Sequence, residues 1–165
     1  MTYRVREAKA ADVRAIKAIR EPLEGAVLLP HELVGLFEKL QEFLVVEDEN
    51  HKVVAAGALH VMWEDLAEVR SIVVDQNLHG KGIGHQLLEA LLEKAKDLGI
   101  KRVFCLTFET GFFGKYGFQE ISDVPVDEAT FAELQRSNDD GVAEFLDLAR
   151  VKQNTLGNTR MLKLL

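Results

Sequence analysis

Cysteine is nearly missing from this 165-residue chain: Cys105 stands alone, so no disulfide can close within one copy and no thiolate cluster can hold a metal. It sits in the strand-like run 102–107, where a free thiol ordinarily behaves as a small buried hydrophobe. No metal is expected. Long apolar runs are missing too, with nothing near the ~20 consecutive residues that span a bilayer, and the opening Met1-Thr2-Tyr3-Arg4-Val5-Arg6 has no signal-peptide core. A cytoplasmic protein with no membrane partner is the expectation. Positive charge is in deficit: 20 Lys and Arg face 27 Asp and Glu, for a formal charge of −7. That balance argues against a nucleic-acid partner, and none is expected, since such proteins carry basic faces. Repeats and low-complexity stretches are also lacking. With 47% apolar residues, the chain is expected to form one domain over residues 1–165 around a single core.

An acidic balance does not bar an anionic ligand, because phosphate recognition is local and rests on backbone N–H groups. The stretch Ile72-Val73-Val74-Asp75-Gln76-Asn77-Leu78-His79-Gly80-Lys81-Gly82-Ile83-Gly84 reads as a buried strand, a glycine-rich turn and the start of a helix. From Ile83 the apolar residues recur at Leu87, Leu88, Leu91, Leu92, Ala95 and Leu98, one stripe of a helix of period ~3.6. Gly99 then supplies a helix stop. Three glycines before a helix let several N–H groups converge where the helix adds about half a positive charge. Lys81 and Lys115 are candidate cations facing the phosphates, with plain solvated surface as the alternative for each. A P-loop would end in Gly-Lys-Ser/Thr, but here Gly-Ile-Gly-His follows, so the magnesium-binding hydroxyl is missing. A dinucleotide fingerprint would open the first strand–helix unit of the chain, whereas this turn lies mid-chain.

His79-Gly80-Lys81-Gly82-Ile83-Gly84 after Val-Val-Asp resembles the pyrophosphate turn, Arg/Gln-x-x-Gly-x-Gly/Ala, of the GNAT superfamily of acetyl-CoA-dependent N-acetyltransferases. Arg102 to Thr107 resembles that family's next strand, and Gly111-Phe112-Phe113-Gly114-Lys115-Tyr116-Gly117-Phe118 its Phe-Tyr-x-x-x-Gly-Phe segment. More narrowly, Leu106 to Phe113, Gly141 to Leu148 and Leu156 to Leu162 are similar to the short actinobacterial type of amino-acid N-acetyltransferase, the N-acetylglutamate synthases that open arginine biosynthesis. The chain has no room for the amino-acid-kinase domain of larger N-acetylglutamate synthases. The resemblance implies a GNAT α/β fold, with a mixed central sheet of about seven strands and helices on both faces. It implies acetyl-CoA as co-substrate and a small amino acid as acceptor, with a homodimer among the open assembly states.

Taken in order, 3–8 reads as an edge strand, and Asp12 as the cap of a helix carrying Val13, Ile16 and Ile19. Residues 20–30 read as a loop and 32–40 as a second helix; in the GNAT pattern these cover the acceptor pocket. An antiparallel meander over 43–46, 53–61 and 66–74 follows. After the long helix come a strand at 102–107, a short helix at 110–116 and a strand at 118–121. A helix then starts at Asp127, 141–148 favours helix over strand, and 159–165 is a closing strand.

Acetyl transfer to an amine requires a neutral amine, a stabilised oxyanion and a proton for the leaving sulfur. The resemblance assigns the backbone of Ile72, Val73 and Val74 to the thioester carbonyl and the pantetheine, and His79, Gly80, Lys81, Gly82, Ile83 and Gly84 to the pyrophosphate. Phe113 joins the acetyl-CoA contacts. Glu68 aligns with the acid on this strand in N-acetylglutamate synthases and is the candidate base; the alternative is a solvent-facing residue paired with Arg70. Many GNAT enzymes place a tyrosine where this chain has Phe113, so Tyr116, three residues on, is the candidate acid, with core packing as its alternative. His79 likewise replaces the motif's Arg or Gln. Arg70, two residues beyond Glu68 on the same strand face, is a candidate clamp for a substrate carboxylate, with Thr107 and Arg160 also on the substrate side. Leu29-Pro30-His31 stands where longer N-acetylglutamate synthases carry an arginine, which leaves glutamate and glutamine both open. Another small amine, a protein N-terminus, or a non-catalytic acyl-CoA-binding module are the competing readings.

Overall fold

The computed structural model describes residues 2–24, 28, 31–148 and 158–165. Positions 25–27, 29 and 30 of the expected 20–30 loop, and Leu156 and Gly157 of the terminal resemblance, lie outside the described residues. The chain divides into two compact units, Met1–His60 with Val69–Leu98 and Val61–Glu68 with Gly99–Leu165.

In the first unit, β1 (Arg4–Glu7) pairs antiparallel with β2 (Phe43–Glu47), which pairs antiparallel with β3 (Val53–Trp63). All five residues of β2 are buried. Alternation along β3 separates two helical contacts. Ala56 and Ala58 join Val13, Ile16, Leu36, Phe43 and Val45, placing α1 (Val13–Arg20) and α2 (Leu33–Glu38) on one face. Gly57 points the other way. A Cβ there would stand 3.1 Å from Leu91 Cδ1 and 3.2 Å from Leu87 Cδ2, so even a methyl would press on the side chains of α3 (Ile83–Asp97). Leu87, Leu88 and Leu91 are fully buried, each stabilising by about 1.5–3 kcal/mol.

The expected cap at Asp12 is corrected. Asp12 closes a 3-10 turn, Ala10–Asp12, and its carboxylate reaches back to the Lys9 N–H at 2.7 Å and to Arg6 at 2.8 and 3.0 Å. The cation on β1 outcompetes the helix N–H groups for that carboxylate. Leu98 is corrected as well: 55% exposed, it lies past the last helical turn, which Gly99 ends at φ +83.

In the second unit, the start of β4 (Leu66–Val74) runs parallel to β5 (Arg102–Thr107), with register Leu66↔Arg102 to Glu68↔Phe104. β7 (Thr159–Leu164) pairs antiparallel with β5 and with β6 (Gln119–Glu120). α4 (Thr110–Gly114), α5 (Glu128–Leu134) and α6 (Asp140–Phe145) complete this unit. Asp127 and Asp139 cap α5 and α6 by accepting from the N–H groups of Thr130 and Val142 at 2.8 and 2.9 Å. That cap fixes the ambiguous 141–148 stretch as a helix to Phe145. Met62, Leu66, Phe104, Leu134, Val142 and Phe145 form the core, with Phe104 and Phe145 edge to face at 4.9 Å.

The strand order is β1-β2-β3-β4-β5-β7-β6 in a seven-stranded sheet, mixed because β4 and β5 are parallel. β3 and β4 contribute residues to both units. Among the described residues no helix is long and apolar enough to cross a membrane.

Candidate functional site

In the first unit, β4 is followed by a 3-10 turn, Gln76–Leu78, that the periodicity did not reveal; Asp75 caps it by accepting from the Asn77 N–H at 2.9 Å. Asp75 in turn donates its N–H to the Val54 carbonyl at 2.8 Å, tying this end of β4 to β3. The chain then turns through Gly80 at φ +82 and Gly82 at φ +77, and Gly82 is the N-cap of α3. A Cβ at either glycine would meet nothing within 4 Å. The left-handed backbone, not crowding, is what requires glycine here. The first helical bond runs from the Gln86 N–H to the Gly82 carbonyl, so Ile83 and Gly84 present first-turn N–H groups to which the helix itself offers no acceptor. That turn carries no acidic residue. His79 and Lys81 are exposed beside it, while Ile83 is buried and anchors the helix start. This concentrates positive potential at the helix end on a chain of net charge −7.

Ile72, Val73 and Val74 close β4, with Val73 in the core. Just before them Ser71 takes φ +61, a left-handed conformation inside a strand. Such a break in the pleat re-aims the following backbone. The ladder between β4 and β5 ends at Glu68↔Phe104 although both strands continue. Nothing in the sequence announced Ser71, since serine is an ordinary strand residue. Arg70, half-buried, precedes it.

In the second unit, Glu68 is 5% exposed. Across the sheet it registers with Phe104, and Phe104 with Leu162. Arg160, two residues from Leu162 on β7, shares their face. Its NH1 donates to the Glu144 carbonyl at 3.1 Å and its NH2 to the Phe145 carbonyl at 2.7 Å. The guanidinium lies 5.2 Å from the Phe104 ring centroid and 5.9 Å from that of Phe145. Burial pulls the Arg160 pKa down, and the charges of Asp147, Glu68 and Asp123 oppose that. Burial also drives the Cys105 thiol far above its ordinary range, with the Glu68 charge adding to it.

Thr107 ends β5, buried, and its Oγ1 accepts from the Glu109 N–H at 2.8 Å. Phe113 is buried between Phe112 and Phe118, with ring centroids at 5.1 and 5.2 Å. The expected helix over 110–116 ends at Gly114, so Tyr116 is not on its side. It lies in the following turn, where its N–H donates to the Phe113 carbonyl at 3.0 Å and Gly117 takes φ +86. The Tyr116 ring is 6.1 Å from that of Phe112. Lys115, beside it, is exposed.

Within the second unit the structure therefore brings Glu68, Phe104 and Arg160 together on one face, and Phe113 and Tyr116 into one aromatic group. Phe104 and the carbonyls of Glu144 and Phe145 were missed. A cavity of about 460 Å³ bounded by Trp63, Asp65, Arg102, Asp123 and Thr130 contains none of the expected site residues. Among the described residues no group of three or more His, Cys, Asp or Glu could hold a metal ion.

The Acetyltransferase (GNAT) family profile matches residues 13–118. Among curated proteins, an amino-acid acetyltransferase of Mycobacterium tuberculosis is 52% identical over 163 residues, 98% of this chain and 94% of its own length. An amino-acid acetyltransferase of Neisseria meningitidis is 30% identical over 121 residues, 72% of this chain and 28% of its own. Among solved structures, a Mycobacterium tuberculosis protein in complex with CoA and a second ligand superposes with a TM-score of 0.96 at 51% identity, over 98% of this chain and 99% of its own. N-acetylglutamate synthase of Neisseria gonorrhoeae, complexed with coenzyme A and N-acetyl-glutamate, matches with a TM-score of 0.78 at 23% identity, over 100% of this chain and 35% of its own. That last likeness is one of fold.

Proposed function

The chain belongs to the GNAT family of acetyltransferases, and from that premise we propose that it moves the acetyl group of acetyl-CoA to the α-amino group of L-glutamate or L-glutamine, the first step of arginine biosynthesis. The observation that carries this reading is the 52% identity with an amino-acid acetyltransferase over 98% of the chain. The protein acts as one catalytic domain in the cytoplasm.

The backbone from His79 to Gly84 cradles the pyrophosphate, with Gly80 and Gly82 setting the curl and the N-terminus of α3 supplying partial positive charge. Phe113 packs beside the cofactor. Backbone N–H groups of Ile72, Val73 and Val74, re-aimed by Ser71, hold the pantetheine amides and the thioester carbonyl, whose oxygen gains charge in the tetrahedral intermediate. Glu68 on the same strand is the general base that takes the proton of the acceptor ammonium, leaving a neutral amine to attack. Tyr116 returns a proton to the departing CoA sulfur. Arg70 donates paired hydrogen bonds to the substrate carboxylate, and Thr107 lines the acceptor side.

Release of free CoA thiol from acetyl-CoA, measured with each of the twenty amino acids in turn, tests the reading. Glutamate or glutamine is expected to support release and the others not. Silence across the panel, with acetyl-CoA still bound, would overturn the amino-acid assignment and direct the search to other amines. Glu68→Gln is expected to lower kcat by roughly 10²–10⁴-fold, the range for a lost general base, with the KM for acetyl-CoA little changed.

A further inference from the structure

Cations near an acyl-transfer site are readily taken for substrate clamps, and Arg160 fits that description by sequence. Its geometry gives it other work. We infer that Arg160 is a positioning residue whose guanidinium, locked to two backbone carbonyls, holds Glu68 ionised and ready to accept a proton, and that it does not grip the amino-acid substrate. The inference rests on the reading of Glu68 as the general base.

Sheet register carries the argument. Glu68 pairs with Phe104 across β4 and β5, and Phe104 with Leu162 across β5 and β7. Directly paired side chains project from one face, and Arg160 lies one strand period from Leu162. Its guanidinium reaches back over the Phe104 ring at 5.2 Å, toward the strand that carries Glu68. A planar cation over an aromatic face is a favourable arrangement and fixes the plane of the fork.

The same fork is occupied. NH1 and NH2 donate to the carbonyls of Glu144 and Phe145, at the end of α6, where the last carbonyls of a helix have no partner within it. A bidentate grip on a carboxylate needs two parallel N–H groups on one edge of the guanidinium; the NH1–NH2 end is engaged by the protein's own backbone, and a substrate carboxylate would have to take the Nε edge. What the site receives from Arg160 is fixed charge. Burial disfavours that charge, and Asp147, Glu68 and Asp123 compensate. The coupling is mutual: whatever Glu68 contributes to keeping the guanidinium charged, the guanidinium contributes to keeping Glu68 ionised.

The other ionisable groups around Glu68 set the background. Cys105 on β5 is held neutral by burial. Asp123 and Asp147 are drawn to the same Arg160 charge as Glu68, and Glu144 of α6 is buried.

The test is the pH dependence of kcat/KM for the amino acid in four proteins: the parent, Arg160→Met, Arg160→Lys and Asp147→Asn. The acid limb of that profile reports the base of the free enzyme. Arg160→Met is expected to move the limb up by about one pH unit, the low end of the effect of a nearby opposite charge, which is a tenfold loss on the acid side. The KM at the plateau should stay within about twofold of the parent. Arg160→Lys, which keeps the charge, should leave the limb near the parent position. Asp147→Asn removes a competing acid and should move the limb down. Asp147 is exposed and sits at φ +59, a conformation asparagine accepts, so this variant keeps the test alive should Arg160→Met fail to fold. An unmoved limb in both charge-changing variants, or a tenfold rise in amino-acid KM with the limb in place, would overturn the inference. Glu68→Gln, run in parallel, separates the two readings: if it keeps the parent's acid limb, Glu68 is not the base whatever Arg160 does.

Discussion

Gly82 and Gly57 show two different reasons for a glycine, and substitution by alanine separates them. At Gly82 the backbone is left-handed, φ +77, and the space is open, so Gly82→Ala costs about 1–2 kcal/mol of backbone strain and is relieved by reshaping the turn. The expected result is a rise of several-fold in the KM for acetyl-CoA. At Gly57 the new methyl would stand 3.1 Å from Ile72 Cγ1 and Leu91 Cδ1, so Gly57→Ala costs stability, about 1–3 kcal/mol by overpacking. Thermal denaturation and acetyl-CoA titration of both variants check this; equal losses of affinity would refute the distinction. Lys81 is exposed, and Lys81→Ala should change acetyl-CoA affinity by less than the 1 kcal/mol typical of exposed charge pairs. Cys105, 1% exposed with its thiol pushed up by burial, should resist a thiol reagent in the native state and react at the rate at which its strand opens.

β4 carries more of the proposed chemistry than any other element, because Glu68, Arg70 and Ile72 to Val74 all lie on it. Its regularity is broken once, at Ser71. Ser71→Gly should preserve the break and keep acetyl-CoA affinity, whereas Ser71→Val should lose about 1–2 kcal/mol of stability and weaken acetyl-CoA binding, since a β-branched residue resists the left-handed region. Parallel behaviour of the two variants in denaturation and acetyl-CoA titration would argue that the break has no role. Elements with a local signal were legible in the sequence: Ile83, Leu87, Leu88, Leu91, Leu92 and Ala95 form the buried stripe of α3, and the bounds of β4 and β5 agree with the expected strands. Elements decided by a distant partner were not. Asp12 reads as a cap until Arg6 claims its carboxylate from β1. Residues 141–148 offer apolar residues at both helical and strand spacing, and only the Asp139 cap settles them. The expected helix over 110–116 runs past the end of α4 because the chain goes on turning after Gly114, with the Tyr116 N–H donating to the Phe113 carbonyl and the Gly117 N–H to that of Gly114.

At the scale of the whole molecule the legible part of the site is the contiguous part. Positions 79–84 form a turn whose geometry is local, so spacing alone predicted the turn and the helix start after it. The relation of Glu68 to Arg160 spans positions 68, 104 and 160 on three strands and follows from ladder register, which a single sequence does not encode visibly. The excess of acid over base likewise acts through particular pairings. Glu47, its side chain 4% exposed, accepts from Arg6 Nε at 2.8 Å and also from Arg4, with His51 Nδ1 at 3.3 Å. The hydrogen bond from Arg6 is the largest influence, and the carboxyl is held down from 4.5 to about 2. Asp12 is lowered by Arg6 as well. Burial pushes Glu24 up, but Lys17 and the His31 N–H outweigh it, so it too is lowered. A carboxylate that is more acidic in the folded state means that the unfolded chain binds more protons. Its stabilisation is complete above the ordinary value of 4.5 and is lost as pH falls through that value toward about 2. Tm should therefore be level with respect to these groups near neutrality and fall steeply through that window. Glu47→Gln should melt at lower temperature than the parent near neutral pH, yet decline less on acidification, so that the two curves converge by about pH 2. Curves that stay parallel throughout would show that Glu47 and its arginines contribute nothing to the acid sensitivity of the fold.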